Sequence, residues 1–240
     1  QNKLSEERRM MTYEPLLAAL AEKKDETYRQ FTERLVNVPA GTSIGVRTPL
    51  LRDYAKKFVK REDFSFAELF SWSNELYEIR LLKCLCVGYA KVPFAEKEAL
   101  IENCLPVIDG WGVCDLFCST LKEVKKHRKE FLPNIERYIA MGTEFSQRFG
   151  YILLLGCYME EEYLPVIFRL LGEAKTECYY TYMGAAWLLA EVLVKFYDAG
   201  VRFLKEGTLD GRTKNKAIQK ARESFRLTEE QKNYLKSLKN

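Results

Sequence analysis

Apolar residues recur every three or four positions along almost the whole chain, and this periodicity constrains the fold more than any other sequence feature. Alternation with period two, which would indicate strands, is hard to find. The sequence therefore predicts an all-α protein. The predicted helices lie near residues 5–22, 25–36, 49–60, 66–72, 75–90, 94–107, 111–125, 128–140, 144–158, 161–173, 178–197, 199–206, 213–224 and 228–238.

From about residue 75 the predicted helices pair into hairpins of roughly 35 to 40 residues with short connections. No stretch rich in Pro, Gly or Ser interrupts them. This rhythm is typical of an α-solenoid of HEAT-like helical hairpins, in which each hairpin buries its faces against its neighbours. We therefore predict one domain over residues 1–240. The longest irregular stretch, residues 36–48, is either a functional loop or a plain connector.

Two helix starts have local explanations in the sequence. Thr48 followed by Pro49 predicts an N-cap oxygen and then a proline at the first helical position, where its missing N–H costs nothing. The run from Thr228 to Gln231 predicts a capping box, in which side chain and backbone at the helix start satisfy each other.

Several function classes find no support in the sequence. The one histidine, His127, lies in a highly charged stretch, which argues against a catalytic triad or a histidine metal centre. The seven cysteines lack the usual zinc-ligand spacing and fit free buried thiols in a reducing compartment. No apolar stretch approaches the ~20 residues that cross a bilayer. We expect a cytoplasmic protein without a metal.

Charge is distributed unevenly along the chain. The formal net charge is only +4. Residues 202–240, however, contain eleven basic and five acidic side chains and so carry +6, which leaves −2 on the rest of the chain. Such an asymmetry suits a polyanionic partner, and a solvated basic terminal helix is the alternative interpretation.

Three segments contain residues that suit chemistry on a cationic substrate. Trp111 and Asp115 are spaced to lie one turn apart on one helix face, where an indole and a carboxylate together attract a cation. The alternative is that Trp111 packs in the interface of a helical hairpin, while Asp115 caps a helix or pairs with a nearby basic side chain. Arg148 lies near the start of another predicted helix and either pairs with an acid or holds a phosphate. Trp187 follows small residues that permit close helix packing.

The order and spacing of several short motifs identify a family resemblance. Together they resemble the bacterial AlkD-type DNA alkylation repair family, over about residues 28 to 226. The motifs are Gly45-Val46-Arg47-Thr48-Pro49-Leu50-Leu51-Arg52, Trp111-Gly112-Val113-Cys114-Asp115, Gln147-Arg148, Gly184-Ala185-Ala186-Trp187 and the run from Leu209 to Lys220.

The resemblance implies a C-shaped HEAT-like solenoid that binds duplex DNA and removes cationic N-alkylpurines such as 3-methyladenine and 7-methylguanine. It assigns the catalytic aspartate to Asp115, the pocket tryptophans to Trp111 and Trp187, and a DNA-contacting arginine to Arg148. Thr48 and Lys214 are further expected backbone contacts. The family does not need a tight pocket for a flipped base, unlike most enzymes that act on bases.

The residue types agree with that chemistry. Alkylation at N3 or N7 makes the purine a cationic leaving group, so a carboxylate that stabilises the oxocarbenium-like sugar suffices. No metal or organic cofactor is required, and we expect a monomer.

The chain also departs from the family pattern. Met183 and Ala190 stand where many relatives carry basic residues, so we expect Lys or Arg at either position to tighten duplex binding. Lys195 or the stretch from Arg212 to Arg222 is expected to supply those contacts instead. Phe31 is the candidate for the family's N-terminal aromatic residue. Two alternative functions remain at this point: a non-catalytic HEAT-like binder of DNA structures and a protein-binding scaffold.

Overall fold

The computed structural model describes residues 12–240, and within this range the chain forms fourteen α-helices and three short 3-10 helices without a strand. The all-α prediction is confirmed, and the arrangement is consistent with a helical solenoid. The α-helices are α1 (Tyr13–Ala21), α2 (Glu26–Leu35), α3 (Thr48–Phe58), α4 (Phe66–Ser71), α5 (Tyr77–Tyr89), α6 (Phe94–Cys104), α7 (Trp111–Thr120), α8 (Arg128–Ala140), α9 (Glu144–Cys157), α10 (Leu164–Gly172), α11 (Tyr179–Lys195), α12 (Tyr197–Glu206), α13 (Gly211–Arg222) and α14 (Glu229–Ser237). The 3-10 helices are Leu105–Val107, Lys122–Lys126 and Glu161–Tyr163.

Helix contacts divide the chain into two compact units, which separate between Leu121 and Lys122. In the first unit α3, α5 and α7 pack in succession, and α6 packs against α5. In the second unit α9, α11 and α13 pack in succession, while α8, α12 and α14 each pack against one of them. Every second helix thus joins a stacked series, which is how a hairpin repeat buries both of its helices.

The sequence explained two helix starts by local capping, and the structure bears out one of them. The capping box at Thr228 is confirmed, because its side chain accepts from the Gln231 N–H and the Gln231 side chain accepts from the Thr228 N–H. The predicted cap at Thr48 is wrong. Arg47 is the N-cap residue and Thr48 is the first helical residue, with Pro49 behind it. The Thr48 hydroxyl instead contacts the Tyr28 hydroxyl at 3.2 Å.

Two predicted boundaries differ from the structure for local reasons. The helix predicted over residues 111–125 ends at Thr120, because the Thr120 hydroxyl donates to the Phe117 carbonyl and the Leu121 N–H turns to Cys118. The helix predicted from residue 213 begins at Gly211, because the Asp210 side chain accepts from the Thr213 N–H and caps it. Residues 5–11 of the first predicted helix lie outside the described range.

No helix within residues 12–240 combines the length and apolar character that a transmembrane span needs. Six of the seven cysteines are buried, Cys178 is exposed, and all seven are free thiols. In this described part of the chain, no three His, Cys, Asp or Glu side chains are grouped as ligands for a metal ion.

Gly88 sets the distance between α5 and α7. A Cβ atom at Gly88 would overlap the hydroxyl oxygen of Thr120, so the two helices touch backbone to side chain. Gly88→Ala is expected to lower the free energy of unfolding by about 1–3 kcal/mol through overpacking. Gly156 in α9 is the matched control, since a Cβ atom added there would meet nothing within 4 Å. Gly156→Ala should leave stability unchanged or raise it by up to about 1 kcal/mol.

Urea unfolding of both variants, followed by circular dichroism, checks this pair. Equal stability of Gly88→Ala and the wild-type protein would contradict the close α5–α7 contact.

Candidate nucleic-acid interface

All six predicted site residues lie on the two stacked helix series. In the first unit Thr48 begins α3, while Trp111 and Asp115 lie on α7. In the second unit Arg148 lies on α9, Trp187 on α11 and Lys214 on α13. The packing within each unit therefore decides where these side chains stand.

The loop before α3 is held by a buried carboxylate. Glu78 on α5 is 1% exposed, and its Oε1 accepts from the backbone N–H groups of Ile44 (3.0 Å), Gly45 (2.7 Å) and Val46 (3.2 Å). Gly45 has a φ of +92°, a conformation that glycine adopts without strain. The loop therefore presents three successive N–H groups to one anion, and this fixes the start of α3 relative to α5.

The start of α3 also contacts α2. Arg47 lies over the Tyr28 ring, with its guanidinium carbon 5.0 Å from the ring centre, and pairs with Asp25 at 2.7 Å. The Tyr28 N–H and the Arg47 guanidinium lower the pKa of Asp25. Thr48 is partly exposed between these groups.

The start of α7 is fixed by a buried arginine. Arg80 on α5 donates to the carbonyls of Asn74 (2.6 Å) and Glu75 (3.1 Å) and to the carboxylate of Asp109 (3.1 Å). Asp109 precedes Trp111 by two residues, so this ion pair places the first turn of α7. The Trp111 indole N–H in turn donates to the Leu35 carbonyl at the end of α2, at 3.1 Å.

Trp111 and Asp115 both remain partly exposed, and the spacing of four residues places them on one face of α7. The contact from Trp111 to α2 shows that the indole packs between helices, as the alternative interpretation had it, yet does so without being buried. Phe31 and Leu35, one turn apart on α2, are 53% and 50% exposed. An apolar surface thus adjoins the Trp111 indole.

Arg52 on α3 places a cation beside α7. It follows Thr48 by one turn of α3 and donates to the Tyr89 hydroxyl (2.6 Å) and to the Ser119 hydroxyl (3.0 Å). Ser119 in turn follows Asp115 by one turn of α7. The first unit therefore brings the Thr48–Arg52 side of α3 beside the Asp115–Ser119 side of α7.

In the second unit, Glu144 and Arg148 hold the first turn of α11. The Glu144 carboxylate accepts from the Tyr180 N–H at 2.7 Å, and Arg148 Nη1 donates to the Tyr180 carbonyl at 3.1 Å. Arg148 is only 7% exposed, and Gly184 leaves room for it, since a Cβ there would lie 3.3 Å from Arg148 Cγ. Arg148 therefore positions the helix that carries Trp187.

Trp187 is partly exposed on α11, between Met183 one turn before it and Glu191 one turn after it. Ala190 is 3% exposed, so the expectation that a basic side chain at this position would reach DNA is wrong, because Lys or Arg there would have to enter the helix packing. The expectation for Met183, which is partly exposed, is unaffected. Lys195 ends α11 and donates to the Met159 carbonyl at 2.6 Å.

The basic helix α13 packs on α11. Its cap residue Asp210 is partly buried, which raises the pKa, but hydrogen bonds from Thr176 and Thr213 outweigh this and the pKa is lowered. The guanidinium carbon of Arg212 lies 4.0 Å from the centre of the Tyr182 ring. Lys214 is partly exposed and donates to the Asn240 side chain at 3.0 Å.

A sequence model of the DNA alkylation repair enzyme family matches residues 16–225, which include all six predicted site residues. The chain belongs to this family. It is an enzyme of DNA alkylation repair, as the motif resemblance predicted. A search of curated proteins gave no match.

Sequence reasoning missed four residues that shape the candidate site: Glu78, Arg80, Arg52 and Glu144. Glu78 and Arg80 had a visible signal, because both interrupt the otherwise apolar start of α5, where a charge must find a partner if it is buried. Arg52 and Glu144 carried no such signal, since each partner is distant in sequence.

Glu78→Gln tests the anchoring of the loop before α3. The replacement puts an amide, with one oxygen fewer and an NH₂ group, against three backbone donors, so the free energy of unfolding should fall by about 2–3 kcal/mol. Glu75→Gln is the control, because Glu75 is exposed at the preceding turn. Thermal unfolding followed by circular dichroism measures both, and a Glu78→Gln midpoint equal to that of Glu75→Gln would contradict the anchoring role.

Proposed function

We propose that this member of the family is a monofunctional DNA glycosylase that hydrolyses the N-glycosidic bond of cationic N-alkylated purines, including 3-methyladenine and 7-methylguanine, in duplex DNA. The observation that carries the proposal is the pair on α7. Trp111 and Asp115 lie one turn apart, both partly exposed, on a helix whose start is fixed by Arg80 and Asp109. An indole face and a carboxylate held beside each other suit a cationic substrate whose positive charge moves from the purine to the sugar as the bond breaks.

The reaction depends mainly on stabilising the positive charge that develops on the sugar. As the bond from the sugar to the alkylated purine breaks, the purine leaves as a neutral base and the sugar becomes an oxocarbenium-like cation. Asp115 stabilises that cation electrostatically and orients the attacking water. Because the N-alkyl group already makes the purine a good leaving group, no cofactor is needed.

The other residues serve binding. Trp111 offers an aromatic face to the cationic nucleotide, and Trp187 offers the aromatic face of the second unit to the DNA. Thr48 and Lys214 are partly exposed and contact the DNA backbone, and Arg52 adds a guanidinium on the side of α3 that carries Thr48. Arg148 holds the start of α11, and we propose that its guanidinium also contacts a phosphate. The enzyme acts as a monomer, and its free cysteines fit the reducing cytoplasm.

Asp115→Asn separates catalysis from binding. The change keeps the shape of the side chain and removes its charge, so duplex affinity should be retained while single-turnover base release falls by about a hundredfold or more. Asp53→Asn is the control, because it removes an exposed carboxylate from α3 in the same unit. Release of 7-methylguanine from methylated duplex, followed by chromatography, measures both variants.

Wild-type excision by Asp115→Asn would overturn the mechanism, and loss of its folded structure would show that Asp115 is needed for packing instead. Trp111→Ala should lower both lesion affinity and excision, since it removes a contact rather than a charge.

Arg148→Ala tests whether the arginine contacts phosphate as well as positioning α11. Loss of the bond to the Tyr180 carbonyl should lower the unfolding midpoint. Loss of one phosphate contact should weaken binding to every duplex sequence and reduce the slope of log affinity against log salt by about one. Fluorescence anisotropy over a salt series measures the slope. A lower midpoint with an unchanged slope would leave Arg148 a purely positioning residue.

The same salt series tests the alternative functions. A protein-binding scaffold should show no log-linear dependence on salt, whereas a DNA binder loses affinity with a slope of about −0.9 per neutralised phosphate. A non-catalytic binder would show that slope without releasing base.

A further inference from the structure

The turn between α13 and α14 displays one aromatic side chain entirely to solvent. Phe225 is 100% exposed, the highest value among the large hydrophobic residues that the structure describes as exposed. A side chain in this position contributes nothing to the core, and single exposed apolar residues need no special explanation by themselves. The surroundings of Phe225 are what distinguish it.

The turn that carries Phe225, residues 223–228, makes hydrogen bonds of its own. The Arg226 N–H donates to the Ser224 hydroxyl oxygen at 3.2 Å, and the Ser224 N–H donates to the Ala221 carbonyl at 3.1 Å. Leu227 is 6% exposed and anchors the turn in the core, and Thr228 caps α14. Phe225 therefore stands on a turn that is held on both sides by hydrogen bonds and by the buried Leu227.

The turn is tied to the helix that carries Trp187. Arg226 Nη2 lies 3.2 Å from the carboxylate of Glu191, which follows Trp187 by one turn of α11. Glu191 would repel a phosphate backbone that lies along α11, and the paired guanidinium offsets that charge. The ion pair therefore links the turn that carries Phe225 to the helix that carries Trp187.

The helix before the turn is strongly basic, whereas the turn and the start of α14 contain the acidic residues Glu223, Glu229 and Glu230. From residue 211 to 222, α13 contains five basic residues and no acidic one. Its last turn places Lys220 and Arg222 directly before the turn that carries Phe225. Some DNA-binding proteins insert an apolar side chain into a groove of the duplex while neighbouring basic residues bind the phosphates.

We propose that Phe225 is a DNA-contacting residue, which packs against sugars and base edges in a groove of the duplex while the basic helix α13 attracts the phosphates and Arg226 offsets Glu191. This inference rests on the proposed DNA substrate and adds a second contact surface, apart from Trp187 itself. It concerns affinity for duplex DNA and assigns Phe225 no part in the chemical step.

Phe225→Ala is a clean test, because the side chain is fully exposed and its removal should leave the unfolding midpoint unchanged. Affinity for undamaged duplex, measured by fluorescence anisotropy, should fall about tenfold, the size expected for one aromatic contact to nucleic acid. The salt slope should stay the same, since no phosphate contact is removed. Phe225→Trp should retain binding. Met141→Ala, which removes another apolar side chain 50% exposed in the second unit, should bind as the wild-type protein does.

Wild-type affinity in Phe225→Ala, or an equal loss in Met141→Ala, would overturn the inference. It would also be overturned if Phe225→Ala converted a dimer into a monomer in analytical ultracentrifugation, because Phe225 would then serve contact between two copies. Base release distinguishes this from failure of the proposed function. If the wild-type protein excises base while Phe225→Ala binds normally, only the Phe225 contact is wrong. If Phe225-dependent binding occurs without excision, the glycosylase proposal is wrong and the contact stands.

Arg226→Ala with and without Glu191→Gln tests the role assigned to the ion pair. Loss of Arg226 alone should weaken duplex binding, and Glu191→Gln should restore most of that loss, because the repelling charge is gone. Equal losses in both backgrounds would show that Arg226 contacts phosphate directly and would contradict the offsetting role.

Discussion

The bonds between the buried Glu78 carboxylate and three backbone N–H groups fix the part of the first unit on which the proposed site depends. A buried carboxylate is stable only when its charge is matched by donors, and the turn at residues 44–46 supplies them. Two residues further along α5, Arg80 does the same for carbonyl groups and Asp109. One helix thus positions both the start of α3 and the start of α7, and with them Thr48, Trp111 and Asp115.

In the second unit, a different pair of charged side chains positions the helix that carries the tryptophan. Glu144 accepts the N–H of Tyr180 and Arg148 donates to its carbonyl, so two side chains one turn apart on α9 hold the peptide groups that begin α11. Because the first turn of a helix has free N–H groups, such a contact both completes its hydrogen bonding and sets its direction. Trp187 follows two turns later. In each unit, charged side chains on one helix of the stacked series position the next helix of that series, which carries a partly exposed tryptophan.

Much of this could be predicted from the sequence, because helical periodicity and end signals are local. All the predicted helices whose residues are described exist, and the capping box at Thr228 was correct. The errors have physical causes. The Thr48 hydroxyl bonds to Tyr28 rather than capping its own helix, and Ala190 faces the packing of α11.

Contacts between residues distant in sequence could not be predicted in this way. Periodicity shows that Arg148 lies on a helix, but only the packed structure shows that its guanidinium meets the backbone of Tyr180. The contact of Arg52 with Ser119 spans 67 positions and leaves no local pattern. The motifs thus supplied the proposed site residues, which remain a prediction, while the residues that hold them in place emerged from the structure.

The most direct test of the account is product analysis after the wild-type protein acts on duplex DNA methylated at purine nitrogens. The account predicts free 3-methyladenine or 7-methylguanine in solution and an abasic site left in an otherwise intact strand, because only the N-glycosidic bond is hydrolysed. Tight duplex binding with no free base released, or a broken phosphodiester bond without base release, would contradict it.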